Sequence, residues 1–330
     1  MMRTLIAVAF ALLAVQLALV VAFNFSDRDS AGRYQPGGPF LEIAAEDAID
    51  RVEITDEQGE TLVITRGEAG WQLPEHDKAP ADMAKLKALL DRLAGLSSGL
   101  VVATSTEAAN RFQVADTAFQ RHILLLADGQ EVANFYIGTS PGFRQVHARR
   151  AGEAAIVTVA LSTFELETVP EEWLDKELVK IAEEQLVGVV YPDFTLTRQD
   201  GQWLLADLAP EETLDYEAVA DLTLRVGGLT IQSVLDPQDV GPLFQGPLDL
   251  HYTLILADDS RLEYRFVKSG DSYALRVSGR EQVFKVHQLP VEGLQKFSRQ
   301  GLLQPDQSAE GQADAAENGT EIAPPESPAE

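Results

Sequence analysis

From Ile49 onward the chain alternates. In IDRVEITDEQGETLVITRGEAGWQLP, Ile49 to Pro74, apolar residues recur at every second position on either side of Gly59. This predicts two half-buried strands joined by a turn at Gly59, with a further turn at Gly67 to Gly70 leading into Trp71. LVGVVYPDFTLTRQDGQWLLADL repeats the order from Leu186, with Trp203 in the place of Trp71. The period then changes. DMAKLKALLDRLAGL sets Leu86, Leu89, Leu90 and Leu93 at helical spacing, and DYEAVADLTLRVGGL does the same with Val219, Leu222, Val226 and Leu229. Both helices run into a Gly-Leu pair, Gly95-Leu96 and Gly228-Leu229, as glycine C-caps would produce, and Asp215 is a natural N-cap for the second.

Two more segments recur. HILLLADGQEVANFYIG from His122 matches YTLILADDSRLEYRFVK from Tyr252, with the turn Asp128-Gly129 set against Asp258-Asp259. VHARRAGEAAIVTV matches YALRVSGREQVFKV, so Gly152 stands against Gly279. Four motifs in one order point to an internal duplication. The fold class expected is α+β: two tandem duplicated modules of antiparallel sheet with a packed helix, at residues 48–182 and 183–303, after one N-terminal transmembrane helix. PEEWLDKEL after Pro170 reads as a short helix closing the first module.

The ends of the chain follow other rules. Thr4 to Phe25 carries no charge, and as a helix its 22 residues would reach roughly 33 Å, enough for one bilayer span. Residues 1–25 read as an uncleaved anchor, or alternatively as a signal peptide ending near Val20-Val21-Ala22. Arg3 favours a cytoplasmic N-terminus with the rest exported. The expectation is thus a single-pass membrane protein with the bulk of the chain on the far side of the membrane. Residues 26–47 are rich in Ser, Gly and Pro and read as a linker. Residues 304–330 hold seven acids, four prolines and no base, and read as a disordered acidic tail.

Composition narrows the partners. Fifty-two acids against 26 Lys and Arg give a net charge of -26, which repels phosphate backbones, so nucleic acid is not an expected partner. No cysteine is present, and the five histidines never fall at i and i+4, so neither a thiolate nor a transition-metal site is expected. No glycine-rich phosphate loop occurs. The sequence predicts no cofactor and no catalytic residue.

Against that acidity, GTSPGFRQVHARRAG, Gly138 to Gly152, holds three arginines, one histidine and no acid. Gly138-Thr139-Ser140-Pro141-Gly142 is formally the G-x-S-x-G of serine hydrolases. The residue after the serine should donate its N–H to an oxyanion, and Pro141 has none, so a hydrolase is the least favoured reading. Beyond the turn, alternation puts Arg144, Val146 and Ala148 on one face and Gln145, His147 and Arg149 on the other. The second module keeps Arg276 opposite Arg149 but has no counterpart of Gly138 to Phe143. Two readings stand. The arginines pair with surplus acids of the second module or the linker, or the run forms a site for an anionic group or an acidic partner surface. The candidate contacts are Tyr136, Ser140, Phe143, Arg144, His147, Arg149 and Arg150.

These residues carry a resemblance. VEITDEQGETLVITR with Trp71-Gln72-Leu73, the helix ending at Leu96, and Tyr136 to Phe143 with Val146 to Arg150 resemble the bacterial DUF4340 domain proteins. The resemblance spans roughly residues 48 to 303 and is more specific in the first module. It implies a membrane helix followed by duplicated α+β modules, hence a bacterial inner-membrane, single-pass location with the bulk of the chain periplasmic, and in some members an association with ABC-type transport systems. It supplies no catalytic residue. The expected role is a non-enzymatic accessory or interaction subunit of an envelope complex, with inner-membrane proteins, including ABC transporter subunits, as partners. The alternative is a module binding an anionic envelope ligand through Gly138 to Arg150.

Overall fold

The computed structural model describes residue 16 and residues 37–43 and 48–305. The anchor and signal-peptide readings, most of the linker and nearly all of the acidic tail lie outside those residues. Among the described residues no helix is long and apolar enough to cross a membrane. The chain divides into two compact units, Met1–Leu178 and Val179–Glu330. Each mixes helices with an antiparallel sheet, as the α+β expectation requires.

The first unit contains β1 (Arg51–Asp56), β2 (Thr61–Gly67), β3 (Gly70–Leu73), β4 (Ala79–Pro80), α1 (Met83–Ala94), β5 (Val101–Ala103), α2 (Thr106–Arg111), β6 (Val114–Ala115), β7 (Ala118–Phe119), β8 (Arg121–Ala127), β9 (Gln130–Ile137), β10 (Val146–Arg150) and β11 (Ile156–Val159). Nine strands form one sheet in the order β4-β3-β2-β1-β8-β9-β10-β11-β5, and β6 pairs only with β7. Alternation places Val52, Ile54, Ile123, Leu125, Phe135 and Ile137 in the core. Leu86, Leu89, Leu90 and Leu93 of α1 are buried as their spacing predicts, and the Asp82 carboxylate caps the helix by accepting from the Ala84 and Lys85 N–H groups. Phe40, from the stretch read as linker, is fully buried and packs edge to face on Phe135 at 5.6 Å. The packed body therefore begins before residue 48.

The second unit contains β12 (Leu186–Val190), β13 (Thr195–Gln199), β14 (Gln202–Leu205), α3 (Tyr216–Gly227), β15 (Ser233–Val234), α4 (Pro237–Val240), β16 (Leu250–Leu256), β17 (Arg261–Ser269), β18 (Ser272–Val277), β19 (Val283–His287) and α5 (Gln288–Leu294). Its sheet runs β14-β13-β12-β16-β17-β18-β19-β15. Asp215 caps α3 by accepting from the Glu217 and Ala218 N–H groups. The core is an aromatic stack in which Phe194, Tyr191, Tyr252 and Tyr264 follow one another at 4.7, 5.4 and 5.0 Å.

Two local expectations need correction. PEEWLDKEL forms only a 3-10 turn at Pro170–Glu172, because its backbone is drawn to β4: Asp82 N–H donates to the Trp173 carbonyl and Asp175 N–H to the Pro80 carbonyl. The Trp173 side chain is fully buried there, with its indole N–H on the Glu167 carbonyl. The glycines ending α1 and α3 are not left-handed, with φ of -81° and -90°. At Gly228 the reason for glycine is space, since a Cβ would lie 2.7 Å from the Leu224 carbonyl oxygen. The segments from His122 and from Tyr252 also differ in which positions meet the core. Ile123 and Leu125 hold the core positions of β8, and Tyr252 and Leu254 hold those of β16. Register shifts between Leu125 and Leu126, leaving Val132 of β9 unpaired, whereas β16 and β17 run without a shift.

Candidate functional site

The basic run splits into a buried strand and an exposed hairpin. In β10, Val146 and Ala148 face the core, while His147 and Arg149 point to the other face. That face is covered. α2, β6 and β7 lie over it, with Ala108, Ala109, Val114 and Ala115 packed against Tyr136 and Ile156. His147 stacks on Phe112 at 4.1 Å and its Nδ1 meets the Thr139 carbonyl at 2.7 Å. A carbonyl only accepts, so Nδ1 carries the proton.

Arg149 is the centre of this covered layer. Its Nε donates to the Val114 carbonyl at 2.6 Å, Nη1 to the Glu153 carbonyl at 3.0 Å and Nη2 to the Asp116 carboxylate at 2.5 Å. The guanidinium also sits 4.8 Å from the centre of the Tyr136 ring. Arg149 holds the Asp116 carboxyl below its usual range. Burial, followed by the Asp116 charge, pushes the Tyr136 phenol up. Arg150 pairs with Glu153 at 3.3 Å. Asp116 and Glu153, the acids that meet these two arginines among the described residues, belong to the first unit. His147, Arg149 and Tyr136, expected as contact residues, are buried and committed to packing.

The exposed part is the tip. Gly138 N–H donates to the His147 carbonyl and Thr139 N–H to the Phe112 carbonyl, which brings the strand end against α2. Gly138 is required there, since a Cβ would fall 2.0 Å from the Phe112 oxygen. Beyond it Gly142 and Gln145 form an isolated bridge, with Phe143 and Arg144 as the two turn residues. The Ser140 Oγ lies 2.7 Å from both the Gly142 and Gln145 carbonyls, and so staples the base of this small hairpin. Ser140 and His147 are spent on different partners, the turn carbonyls and Thr139. This geometry gives Ser140 no base to take its proton.

Arg144 adopts φ 50°, a left-handed conformation that costs a non-glycine residue about 1 kcal/mol. It cannot therefore share a face with Val146, as plain alternation expects. Its guanidinium lies 5.3 Å from the centre of the Phe143 ring, and no ion pair to it is found among the described residues. Phe143 is 89% exposed. Facing it is the Leu161 to Glu165 segment, held by a capping box between Ser162 and Glu165, with Phe164 82% exposed. Between the two lies a cleft of about 860 Å³, also lined by Ala88 and Arg92 of α1 and by Gln120. Its charged residues are Arg92, Arg144 and Glu165, with Arg92 and Glu165 3.6 Å apart. A cleft with two cations and one anion is the inverse of the chain as a whole. Sequence reading missed Phe164, because its partner across the cleft lies 21 positions away and only the sheet brings them together. Among the described residues no cluster of His, Asp or Glu could hold a metal ion.

The first unit is thus an antiparallel α+β body that presents an aromatic and cationic hairpin beside a cleft. The family whose profile matches is described as a domain of unknown function, DUF4340. The match covers residues 71–243, just over half of the chain, and the chain belongs to that family. No curated protein and no solved structure matches it.

Proposed function

We propose that the chain is a single-pass inner-membrane protein whose two periplasmic units derive from one duplicated scaffold. It acts non-enzymatically, as an accessory or interaction subunit of an envelope complex such as an ABC-type transport system. The observation that carries this reading is the cleft between Phe143 and Phe164. Two phenylalanines so exposed leave apolar surface in water that a partner would remove, and each stands on a segment fixed by its own hydrogen bonds. The occupant proposed is a segment of an envelope protein carrying an apolar residue for the two rings and a carboxylate for Arg144.

The duplication is supported by positions as well as order. Arg66 pairs across strands with Trp71, and Arg198 with Trp203. His122, Tyr136 and Arg149 form one row across β8, β9 and β10, and His251, Arg265 and Arg276 form the matching row across β16, β17 and β18. The membrane tether is supported by the uncharged run from Thr4 to Phe25.

The test is a photo-crosslinking residue at position 143 of the full-length protein in living cells. The expected product is an adduct with an integral membrane subunit of a transport system, lost in Arg144→Glu and in Phe164→Asp. Absence of an adduct, or an adduct unchanged by both substitutions, overturns the proposal.

A further inference from the structure

The second unit carries a cationic face of its own. Across β16, β17 and β18, alternation sends Tyr252, Tyr264 and Leu275 into the core and His251, Arg265 and Arg276 to the opposite face, where all three are exposed. His251 stands directly opposite Arg265, and Arg265 directly opposite Arg276. Arg261, four positions from Arg265 along β17, and Lys285, two positions from Val283, which stands opposite Arg276, share that face. Like charges set directly across a sheet oppose its formation. The fold answers only one of them: Glu263 holds Arg265 with both carboxylate oxygens at 2.7 Å. Among the described residues Arg261, Arg276 and Lys285 meet no carboxylate.

The first unit shows what is missing. Its strands run β8-β9-β10-β11-β5 and those of the second β16-β17-β18-β19-β15, so Arg149 and Arg276 stand in matching rows. Asp116 reaches Arg149 from the segment that covers it. Over Arg276 the turn Leu243–Gln245 brings the Phe244 ring, 4.5 Å from the guanidinium, and no acid. The ring leaves the charge unanswered.

We propose that this face takes the chain's own acidic tail, residues 306–330. Seven acids and no base make that segment the complement of the three unmatched cations. The tail starts from the same unit, where Gln304 N–H donates to the Thr213 carbonyl at 2.8 Å. At about 3.3 Å per residue it reaches about 80 Å, whereas a folded unit of this length is about 35 Å across. It can therefore pass round the unit to the sheet. A tethered segment meets its site at an effective concentration near millimolar, so the tail holds the face ahead of any free anion of similar affinity. Docking of the tail is independent of the cleft in the first unit.

The test is zero-length carbodiimide coupling on the full-length chain, which joins a carboxylate to a lysine amine where the two touch. Wild type is expected to link Lys285 to an acid between Asp306 and Glu330 within one copy, about ten-fold more often than it links Lys296 of the same unit. The double variant Arg261→Gln with Arg276→Gln should lose the Lys285 link with circular dichroism unchanged, and Arg261→Lys with Arg276→Lys should keep it. A full-length tail variant, Asp314→Asn with Glu317→Gln and Glu321→Gln, should weaken the link and admit an added polyglutamate peptide that wild type excludes. The proposal is overturned if Lys285 is linked no more than Lys296, or if the link survives undiminished in the folded Gln variant or in the tail variant. It is also overturned if mixing isotope-labelled and unlabelled chains shows the link to join two copies, or if Lys285 couples in cells to another protein in place of the tail. The adduct at position 143 belongs to the first unit, so the two readings fail separately.

Discussion

The Arg149 guanidinium meets the Asp116 carboxylate at 2.5 Å across the boundary between β10 and the segment that covers it, with the arginine side chain 8% exposed and the aspartate 71%. The asymmetry decides what each substitution costs. Arg149→Ala strands the Val114 and Glu153 carbonyls and empties the space beside Tyr136, so it should lower stability by about 3 kcal/mol. Asp116→Asn, at the wet end, should cost less than about 1 kcal/mol. Denaturant midpoints of the two variants check this order.

Gly138 and Gly142 sit four residues apart in one loop and should respond in opposite ways. A methyl at Gly138 meets two backbone oxygens, of Phe112 at 2.0 Å and Gln113 at 2.3 Å, while nothing lies within 4 Å of one at Gly142. Gly138→Ala is expected to cost about 2–3 kcal/mol, as overpacking against backbone does, and Gly142→Ala less than about 0.5 kcal/mol. Thermal unfolding of both would show it.

Tyr252 lies in the centre of the aromatic stack, and its hydroxyl is buried with no hydrogen-bond partner among the described residues. Burial also drives its phenol far above the ordinary range. An unpaired buried hydroxyl opposes folding, so Tyr252→Phe should stabilise the second unit by about 1 kcal/mol. A loss of stability in urea titrations would reveal a partner for the hydroxyl.

The end of the second unit is pinned by Arg299, whose two terminal nitrogens reach the Glu212 carboxylate at 2.8 and 2.6 Å. That hydrogen bonding, with the Ala209 N–H, lowers the Glu212 carboxyl from 4.5 to about 2. A carboxyl depressed on folding stabilises above its unfolded value and stops doing so as pH falls through the folded one. The clamp's contribution to stability should therefore be full above pH 4.5 and fade as pH drops to about 2. In the folded chain the bridge itself opens only near pH 2, read from the Arg299 side-chain resonances in an NMR titration. Glu212→Gln should abolish that step.

Much of the scaffold was legible along the chain. Strand alternation, the leucines of α1, the Asp215 cap and the turns at Gly59 and Gly129 all follow from periods and turn chemistry that act over a few residues. PEEWLDKEL has an acceptable helical pattern, yet Trp173 and the β4 edge claim its backbone, so a partner distant in sequence outweighs the local preference.

The candidate site divides along the same line. The sequence by itself determined that a basic run interrupts an acidic chain, that Pro141 removes the donor a hydrolase would need, and that no run like Gly138 to Phe143 recurs beyond residue 183. Only the tertiary structure decided which of those basic residues meet water. Alternation names the two faces of a strand but not what covers them, and the segment over Arg149 comes from residues more than thirty positions earlier. Folding buries His147 and Arg149 beneath it, leaves Arg144 at a hairpin tip, and carries Phe164 to the other side of the same cleft.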